Sequence, residues 1–143
     1  SEETVGVRGL GVLPVQVTRF ADVAYVAAEL GSPASGQRPS VLKVPQLGWN
    51  RVVAPDGARF LKSGHAYFAN SFRISDVSAE QARPLQRQLQ VGWEIATAEY
   101  GGTFVAALER GNILACQFHP ELSGPWGQEL LKRWLETNPN EVA

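Results

Sequence analysis

The sequence predicts an α/β fold, in which β-strands pack against α-helices. Short apolar segments separated by glycine-containing turns indicate strands, most clearly on either side of Gly101-Gly102. A final segment with apolar residues at helical spacing indicates a helix. A chain of 143 residues is the size of one domain with one core, so we expect residues 1–143 to belong to a single domain.

The first half of the chain is predicted to alternate strands with a short helix and a loop. Residues 9–20 have the alternating pattern of a strand, and residues 23–30 suit a short helix. Residues 31–40 are rich in Gly, Ser and Pro, which is typical of a surface loop. Residues 41–45 are predicted as a short strand that runs into an aromatic turn over residues 46–50.

The second half is predicted to be mostly strand, over residues 65–74, 91–100, 103–108 and 113–118. The pair Gly101-Gly102 is the turn of a hairpin between the second and third of these strands. A helix is expected to begin near Gly124-Pro125, because proline is favoured at the first helical position. Its apolar positions recur at helical spacing at Leu130, Leu131, Trp134 and Leu135.

The composition excludes several classes of function. Lys and Arg together number 13 and Asp and Glu 14, so the net charge of −1 gives no general attraction to nucleic acid or to an anionic membrane. No apolar run approaches the roughly 18 residues of a membrane-spanning helix. A single Cys forms no internal disulfide, and we therefore expect a reducing, cytoplasmic setting.

The stretch GNILACQFHPELSG, residues 111–124, places a histidine and a carboxylate two residues apart at the end of a predicted strand. Residues two apart on a strand project to the same side, so Glu121 can accept a hydrogen bond from one nitrogen of His119. That bond selects the imidazole tautomer and leaves the other nitrogen free to act as a base on a nucleophile. An arbitrary His-x-Glu is more often an ordinary loop pair, but the strand before it and the helix after it favour a catalytic pair.

The string QFHPELSG, residues 117–124, resembles the Q-F-H-P-E-x-S motif that closes the active site of class I glutamine amidotransferases. By this resemblance, His119 is the base of a catalytic triad and Glu121 the carboxylate that orients it. Further segments are similar, in family order, to the glutaminase subunits of imidazole glycerol phosphate synthase, an enzyme of histidine biosynthesis. They are GLGVLP at 9–14, KVPQLGWN at 43–50, AYFANSF at 66–72 and EYGGTFVAA at 99–107.

The resemblance implies a flavodoxin-like α/β fold, of which this chain supplies the later strands and the C-terminal helix. It implies hydrolysis of glutamine and transfer of the ammonia to a (β/α)8-barrel synthase subunit in a heterodimer, with no cofactor and no metal. The glutamine-binding residues are then Asn70, Ser71 and Phe72, which act largely through backbone groups. The residues that face the synthase are Lys43, Gln46, Trp49 and Asn50, although an aromatic at position 49 could equally pack on the chain's own core.

The chain departs from the family pattern in two ways. Gln46 and Asn70 stand where the family usually has His, and Leu122 replaces a Lys often found after H-P-E. The G-x-C-x-G segment that carries the family's nucleophile does not occur in these residues. Cys116 lies an odd number of residues before His119 among apolar neighbours, which predicts a buried, inert thiol. We therefore expect that the N-terminal half of the domain precedes Ser1 and that this chain alone is inactive.

Two other functions fit the same residues. The first is the amidotransferase subunit of another pathway, such as anthranilate synthesis, against which the K-V-P-x-x-G-W-N run argues. The second is a non-catalytic, amidotransferase-like binding subunit. A G-x-C-x-G segment encoded upstream of Ser1 would separate the enzyme from the binding subunit.

Overall fold

The computed structural model describes residues 42–75 and 92–136, together with 17–20 and the single positions 6, 11, 13 and 15. The helix predicted at 23–30 and the loop at 31–40 lie outside the described residues. Of the strand predicted at 9–20, five positions also lie outside them, and among the described positions only Thr18 and Arg19 are in a strand. The combination of strands with one α-helix agrees with the predicted α/β class. The elements are β1 (Thr18–Arg19), β2 (Gln46–Val52), β3 (Gly64–Asn70), β4 (Phe72–Ser75), β5 (Glu94–Glu99), β6 (Thr103–Arg110), β7 (Ile113–Cys116), a 3₁₀ turn (Pro120–Leu122) and α1 (Gly124–Leu135).

Strand β6 is the centre of a 5-stranded sheet with the order β1-β4-β6-β5, in which β7 also pairs with β6. One edge of β6 carries β5 along most of its length, and the other edge carries first β4 and then β7. Every one of these pairings is antiparallel. Residues 104–109 of β6 are all buried, as expected of a central strand covered on both faces.

The hairpin predicted at Gly101-Gly102 is confirmed. Glu99 of β5 pairs with Thr103 of β6, so the two glycines form the turn. Both have positive φ, of 59° and 114°, in the left-handed region that residues with a Cβ atom rarely adopt. Glycine is therefore required here by the backbone conformation, which is why the dipeptide predicted the turn.

The prediction for residues 41–50 is wrong in its boundaries. Residues 42–45 are not in a strand, and residues 46–50, predicted as an aromatic turn, form the first part of β2. Strand β2 pairs antiparallel with β3, from Gln46 opposite Asn70 to Val52 opposite Gly64. Gly and Asn disfavour strands, but the hydrogen bonds to β3 and the burial of both ends of β2 override that local preference.

The single strand predicted over residues 65–74 is two strands in different sheets. β3 pairs with β2 and ends at Asn70, whereas β4 begins at Phe72 and pairs with β6 and β1. The chain changes sheet at Ser71, where the side-chain amide of Asn70 donates to the carbonyl of Phe72 over 3.1 Å. A side chain that bonds its own backbone two residues ahead stabilises a turn, and this one interrupts an otherwise continuous strand pattern.

The core lies between the β2–β3 hairpin, the sheet and α1, and aromatic rings fill it. Phe68 makes edge-to-face contacts with Phe104 and Phe118, with ring centroids 5.7 and 5.8 Å apart. Phe118 in turn contacts Trp126 of α1, with ring centroids 5.3 Å apart, so α1 packs on this cluster. Trp93 is buried in a second cluster with Val105 and Leu108. Within the described residues no helix is long and apolar enough to cross a membrane.

A buried carboxylate fixes the loop between β2 and β3. Glu109 of β6 accepts backbone N–H bonds from Arg59, from Phe60 over 3.0 Å and from Leu61 over 2.8 Å. The side chain of Glu109 is almost fully buried, and these N–H groups supply the donors that a buried carboxylate requires. The loop is thereby attached to the end of β6 that lies away from β4.

Candidate functional site

The structure brings His119 and Glu121 together at the junction between β7 and α1. Nδ1 of His119 and Oε1 of Glu121 lie 2.9 Å apart. The backbone that brings them together differs from the predicted strand end, because β7 stops at Cys116 and Glu121 lies in the 3₁₀ turn Pro120–Leu122. His119 itself is extended, with φ of −95° and ψ of 98°. The contact therefore results from a tight turn after an extended residue, not from strand alternation.

The hydrogen bond to His119 lowers the pKa of the Glu121 carboxyl below its usual value, and a backbone hydrogen bond at Glu121 adds to this effect. Glu121 is therefore ionised at neutral pH and can only accept hydrogen bonds. In the neutral imidazole, Nδ1 of His119 is then the nitrogen that carries the proton, and Nε2 keeps its lone pair. This is the arrangement in which a histidine can take a proton from a nucleophile.

The backbone of His119 is held on β3. Its N–H donates to the carbonyl of Tyr67 over 2.9 Å, and the two residues form an isolated antiparallel bridge. Two residues earlier in the chain, the N–H of Gln117 donates to the carbonyl of Ala106 on β6 over 2.8 Å. The segment after β7 thus passes from the large sheet to the β2–β3 hairpin, and His119 lies where the two meet.

A polar cleft of about 290 Å³ opens beside His119. The cleft brings His119 together with the three residues predicted to bind glutamine, which come from the β3–β4 turn. Sequence reasoning assigned no role to Gln117, although it is the first residue of the motif that contains His119. The lining residues are Val17, Ala69, Asn70, Ser71, Phe72, Gln117 and His119.

Gln46 and Asn70 occupy buried positions directly opposite each other on β2 and β3. The two residues are only 3% and 8% exposed, and the side-chain carbonyl oxygen of each has no hydrogen-bond donor among the residues that the structure describes. The side chain of Gln46, a residue predicted at the partner interface, is therefore buried within the chain. It points inward because it begins a strand whose alternate residues, Leu47 and Trp49, face outward.

Two other residues predicted to face a partner, Lys43 and Trp49, are exposed. The indole of Trp49 is 59% exposed and makes an edge-to-face contact with Tyr67, with centroids 6.1 Å apart. The fourth, Asn50, is half-buried and ties β2 to β5, because its side-chain amide donates to the carbonyl of Glu99 over 2.8 Å. Trp49 is thus a large exposed apolar side chain on a strand that is fixed at several points.

Cys116 has the properties of a core residue. Its side chain packs against the main aromatic cluster, and burial raises the pKa of its thiol to about 12. At neutral pH the group is a thiol, whereas the nucleophilic form is the thiolate. Cys116 also lines a different cavity from His119, one enclosed mainly by β6 and β7. The structure thus supports the sequence-based view of Cys116 as part of the core.

The sequence model of the class I glutamine amidotransferase family matches residues 26–137 of this chain. The chain belongs to this family. The match and the arrangement of strands with one C-terminal helix are consistent with the flavodoxin-like α/β fold of the sequence-based prediction. Membership agrees with the resemblance of residues 117–124 to the motif of this family.

Several similar proteins are subunits of one enzyme. The imidazole glycerol phosphate synthase subunit HisH of Streptomyces avermitilis is 41% identical over 98 residues, which are 66% of this chain and 44% of that protein. The HisH subunit of Aromatoleum aromaticum is 34% identical over 147 residues, covering 96% of this chain and 57% of that protein. The chloroplastic imidazole glycerol phosphate synthase hisHF of Arabidopsis thaliana is 32% identical over 138 residues, covering 94% of this chain and 19% of that protein. The chain thus spans about half the length of the bacterial relatives.

Proposed function

We propose that this chain is the C-terminal portion of a glutaminase domain and supplies the base and the orienting carboxylate of its catalytic triad. The observation that carries the proposal is the bond between Nδ1 of His119 and Glu121 at the wall of a polar cleft. With Nδ1 protonated, Nε2 of His119 accepts the proton of a thiol brought to it and later returns a proton to the leaving ammonia.

The nucleophile of the proposed reaction comes from outside these residues. The family carries it on a G-x-C-x-G turn, and the one cysteine of this chain is a core thiol with a raised pKa. A thiolate next to Nε2 of His119 attacks the carboxamide carbon of glutamine. Ammonia leaves, and water then hydrolyses the resulting thioester to glutamate. Backbone N–H groups from the missing portion are expected to stabilise the tetrahedral intermediate.

Glutamine is proposed to occupy the cleft beside His119, against the β3–β4 turn formed by Asn70, Ser71 and Phe72. The cleft volume of about 290 Å³ suits a small amino acid, and its surface, lined by residues that include Asn70, Ser71 and Gln117, is mostly polar. Such groups fix the orientation of a small polar ligand. The carboxamide of glutamine then lies next to the imidazole of His119, which is the group that the reaction requires there.

The proposed partner is a (β/α)8-barrel synthase subunit that consumes the ammonia. In support, the HisH relatives are subunits of imidazole glycerol phosphate synthase. Trp49 and Lys43 are exposed on and before β2, and Trp49 is close to the start of α1, near the site. A large exposed indole is the kind of side chain that anchors a protein interface. We propose the cytoplasm as the location of the complex, or the corresponding organelle compartment in a plant.

The test is release of glutamate from glutamine by the complete protein, alone and with the synthase subunit and its nucleotide substrate. The expected result is slow hydrolysis alone and faster hydrolysis with partner and substrate, with the ammonia appearing in imidazole glycerol phosphate. Stimulation by an anthranilate synthase partner instead would move the protein to that pathway. Absence of glutamate release in every pairing, with binding retained, would leave the non-catalytic subunit as the function.

A further inference from the structure

Ser123 lies at the point where the 3₁₀ turn meets α1, and its hydroxyl joins two backbone groups of the site. The hydroxyl donates to the carbonyl of His119 over 2.7 Å and accepts from the N–H of Tyr67 over 2.9 Å. The residue is only 1% exposed, so water does not compete for either bond. Ser123 is also the final serine of the Q-F-H-P-E-x-S motif, and it has no role in the proposed proton transfer.

The two bonds of Ser123 complete the pairing of His119 with β3. In a regular antiparallel pair, two opposed residues exchange two N–H···O bonds. Here the N–H of His119 donates directly to the carbonyl of Tyr67 over 2.9 Å, and the hydroxyl of Ser123 is inserted into the second bond. The carbonyl of Tyr67 thereby bonds His119, and its N–H bonds Ser123. The peptide groups before and after His119 are both held by hydrogen bonds and cannot rotate freely.

The usual role of serine at this position does not explain the arrangement. Ser123 is the N-cap residue of α1, where a serine hydroxyl typically accepts a bond from the second or third N–H of the helix. The hydroxyl of Ser123 makes no such bond. Instead, the hydroxyl donates to the backbone carbonyl of His119. The start of α1 is stabilised by a different bond, from the N–H of Gly127 to the carbonyl of Ser123 over 3.1 Å.

We infer that Ser123 is a positioning residue for His119. This inference rests on the proposed glutaminase function, and it adds that the Ser123 hydroxyl sets where the imidazole stands relative to an incoming thiolate. Without the hydroxyl, the N–H of Tyr67 loses its acceptor in a partly buried place, and the carbonyl of His119 keeps only the bond from the N–H of Leu122. The segment can then rotate about the remaining bonds, and His119 moves away from the position at which proton transfer is efficient.

The effect is expected in kcat and not in KM. Ser123 does not line the cleft beside His119, so its loss leaves the contacts to bound glutamine in place. A misplacement of about 1 Å in a catalytic group can reduce the rate on the order of 100-fold. Loss of a group that acts only on the transition state lowers kcat and kcat/KM together.

The experiment compares Ser123→Ala with Ser63→Ala in the complete protein with its synthase partner. Ser63 is a matched control, because its hydroxyl also bonds two backbone groups, the N–H and carbonyl of Ala54, but in the loop before β3. The expected result for Ser123→Ala is a fall in glutamine kcat on the order of 10- to 100-fold with KM within twofold, and wild-type values for Ser63→Ala. Hydrogen exchange of the Tyr67 amide is measured in parallel, and is expected to be slow in the wild type and faster in Ser123→Ala.

Each outcome decides the inference. A folded Ser123→Ala protein with wild-type kcat, or with a change in KM alone, overturns the role of Ser123 while the glutaminase function stands. A wild-type protein without glutaminase activity overturns the proposed function and the inference with it. If Ser123→Ala does not fold, hydrogen exchange of the Tyr67 amide in the wild-type protein is the deciding measurement. Rapid exchange would show that the hydrogen bond from Tyr67 to Ser123 does not form, and slow exchange would support it.

Discussion

Gln46 lies directly opposite Asn70 in the β2–β3 hairpin, and the side-chain carbonyl oxygens of both residues are buried with no hydrogen-bond donor in the described part of the chain. These are the two positions at which the chain departs from the histidines of the family that it resembles. Because the two residues are cross-strand neighbours, both departures lie in one buried place. The pair lies at the end of β3, next to the turn that lines the cleft.

The environment of Asn70 predicts that two substitutions there change the free energy of unfolding by different amounts. Asn70→Ala loses the bond to the carbonyl of Phe72 but also removes an unpartnered acceptor, so the free energy of unfolding should change by less than about 1 kcal/mol. Asn70→Asp replaces the donor with a charged acceptor facing a carbonyl, and should destabilise by about 2 kcal/mol or more at pH 7. Urea denaturation of both variants measures the difference. Equal stability of the two would show that the side chain is more accessible to water than in the structure.

Glu109 is predicted to contribute to stability through the loop between β2 and β3. Glu109→Gln replaces one carboxylate oxygen by an NH₂ group that faces backbone donors from residues 59–61, and should lower the free energy of unfolding by about 1–3 kcal/mol. Glu94→Gln is the matched control, because Glu94 is the cross-strand neighbour of Glu109 and is only half-buried. The control should be neutral or slightly stabilising, since it removes a like charge opposite Glu109. Denaturation midpoints that fall equally in both variants would contradict this role of Glu109.

Much of the fold was predictable where local chemistry and tertiary structure agree. The glycines at 101 and 102 require a turn, and the apolar positions of α1 follow the helical period, so both elements were predicted at nearly the right residues. Predictions failed where pairing with a distant strand overrides local preference. Residues 46–50 have the composition of a turn, yet β3 pairs with them to make a strand. The bond from Asn70 to Phe72 makes the turn at Ser71 locally, but which strands β3 and β4 then pair with depends on distant residues.

The contact between His119 and Glu121 was predictable from the sequence, but the backbone that makes it was not. The motif around His119 and Glu121 indicated the pair, and the structure adds the 3₁₀ turn that carries Glu121. The inward direction of Gln46 could not be predicted, because a shift of one residue in strand register reverses every side chain. The bridge made by Ser123 depends on the approach of Tyr67, which lies 56 residues away in the sequence.

The thiol of Cys116 is predicted to be unreactive in the folded chain. Its pKa of about 12 means that almost no thiolate exists at pH 7, so reaction with an aromatic disulfide reagent should be much slower than in the denatured chain. An unfolded cysteine ionises near pH 8.5, so the stabilisation from keeping this thiol neutral is complete below that pH. It is lost as the pH rises toward 12. Stopped-flow labelling in buffer and in denaturant measures the ratio.

The same argument predicts that Cys116 takes no part in glutamine hydrolysis. Cys116→Ala in the complete protein should keep the wild-type kcat, and this chain alone should release no glutamate from glutamine. Turnover by the purified chain that disappears in Cys116→Ala would show instead that Cys116 is the nucleophile.

Trp49→Ala is predicted to weaken binding to the synthase subunit without unfolding the protein. The indole is 59% exposed, so its removal costs little folding energy, whereas an aromatic anchor at the centre of an interface contributes about 2 kcal/mol or more. This corresponds to an increase in Kd of roughly 30-fold. Leu135→Ala, at a residue that is 71% exposed near the end of α1, is the control for loss of exposed apolar surface. Calorimetric titration with identical Kd values for wild type and Trp49→Ala would place the interface elsewhere.

The kinetics of a His119 and Glu121 mutant cycle test the catalytic assignment most directly. In the complete protein with partner and nucleotide present, His119→Ala should lower glutamine kcat by at least roughly 1,000-fold, because the general base is lost. Glu121→Gln should be impaired less, because it keeps a hydrogen-bonding group but loses the charge that stabilises the imidazolium. The double variant should be hardly worse than His119→Ala, since members of a triad act as a unit. Thermal melts should be close to wild type for Glu121→Gln, because both side chains are substantially exposed. A Glu121→Gln protein with wild-type kcat would contradict the assignment, since Glu121 would then be an ordinary carboxylate of the turn.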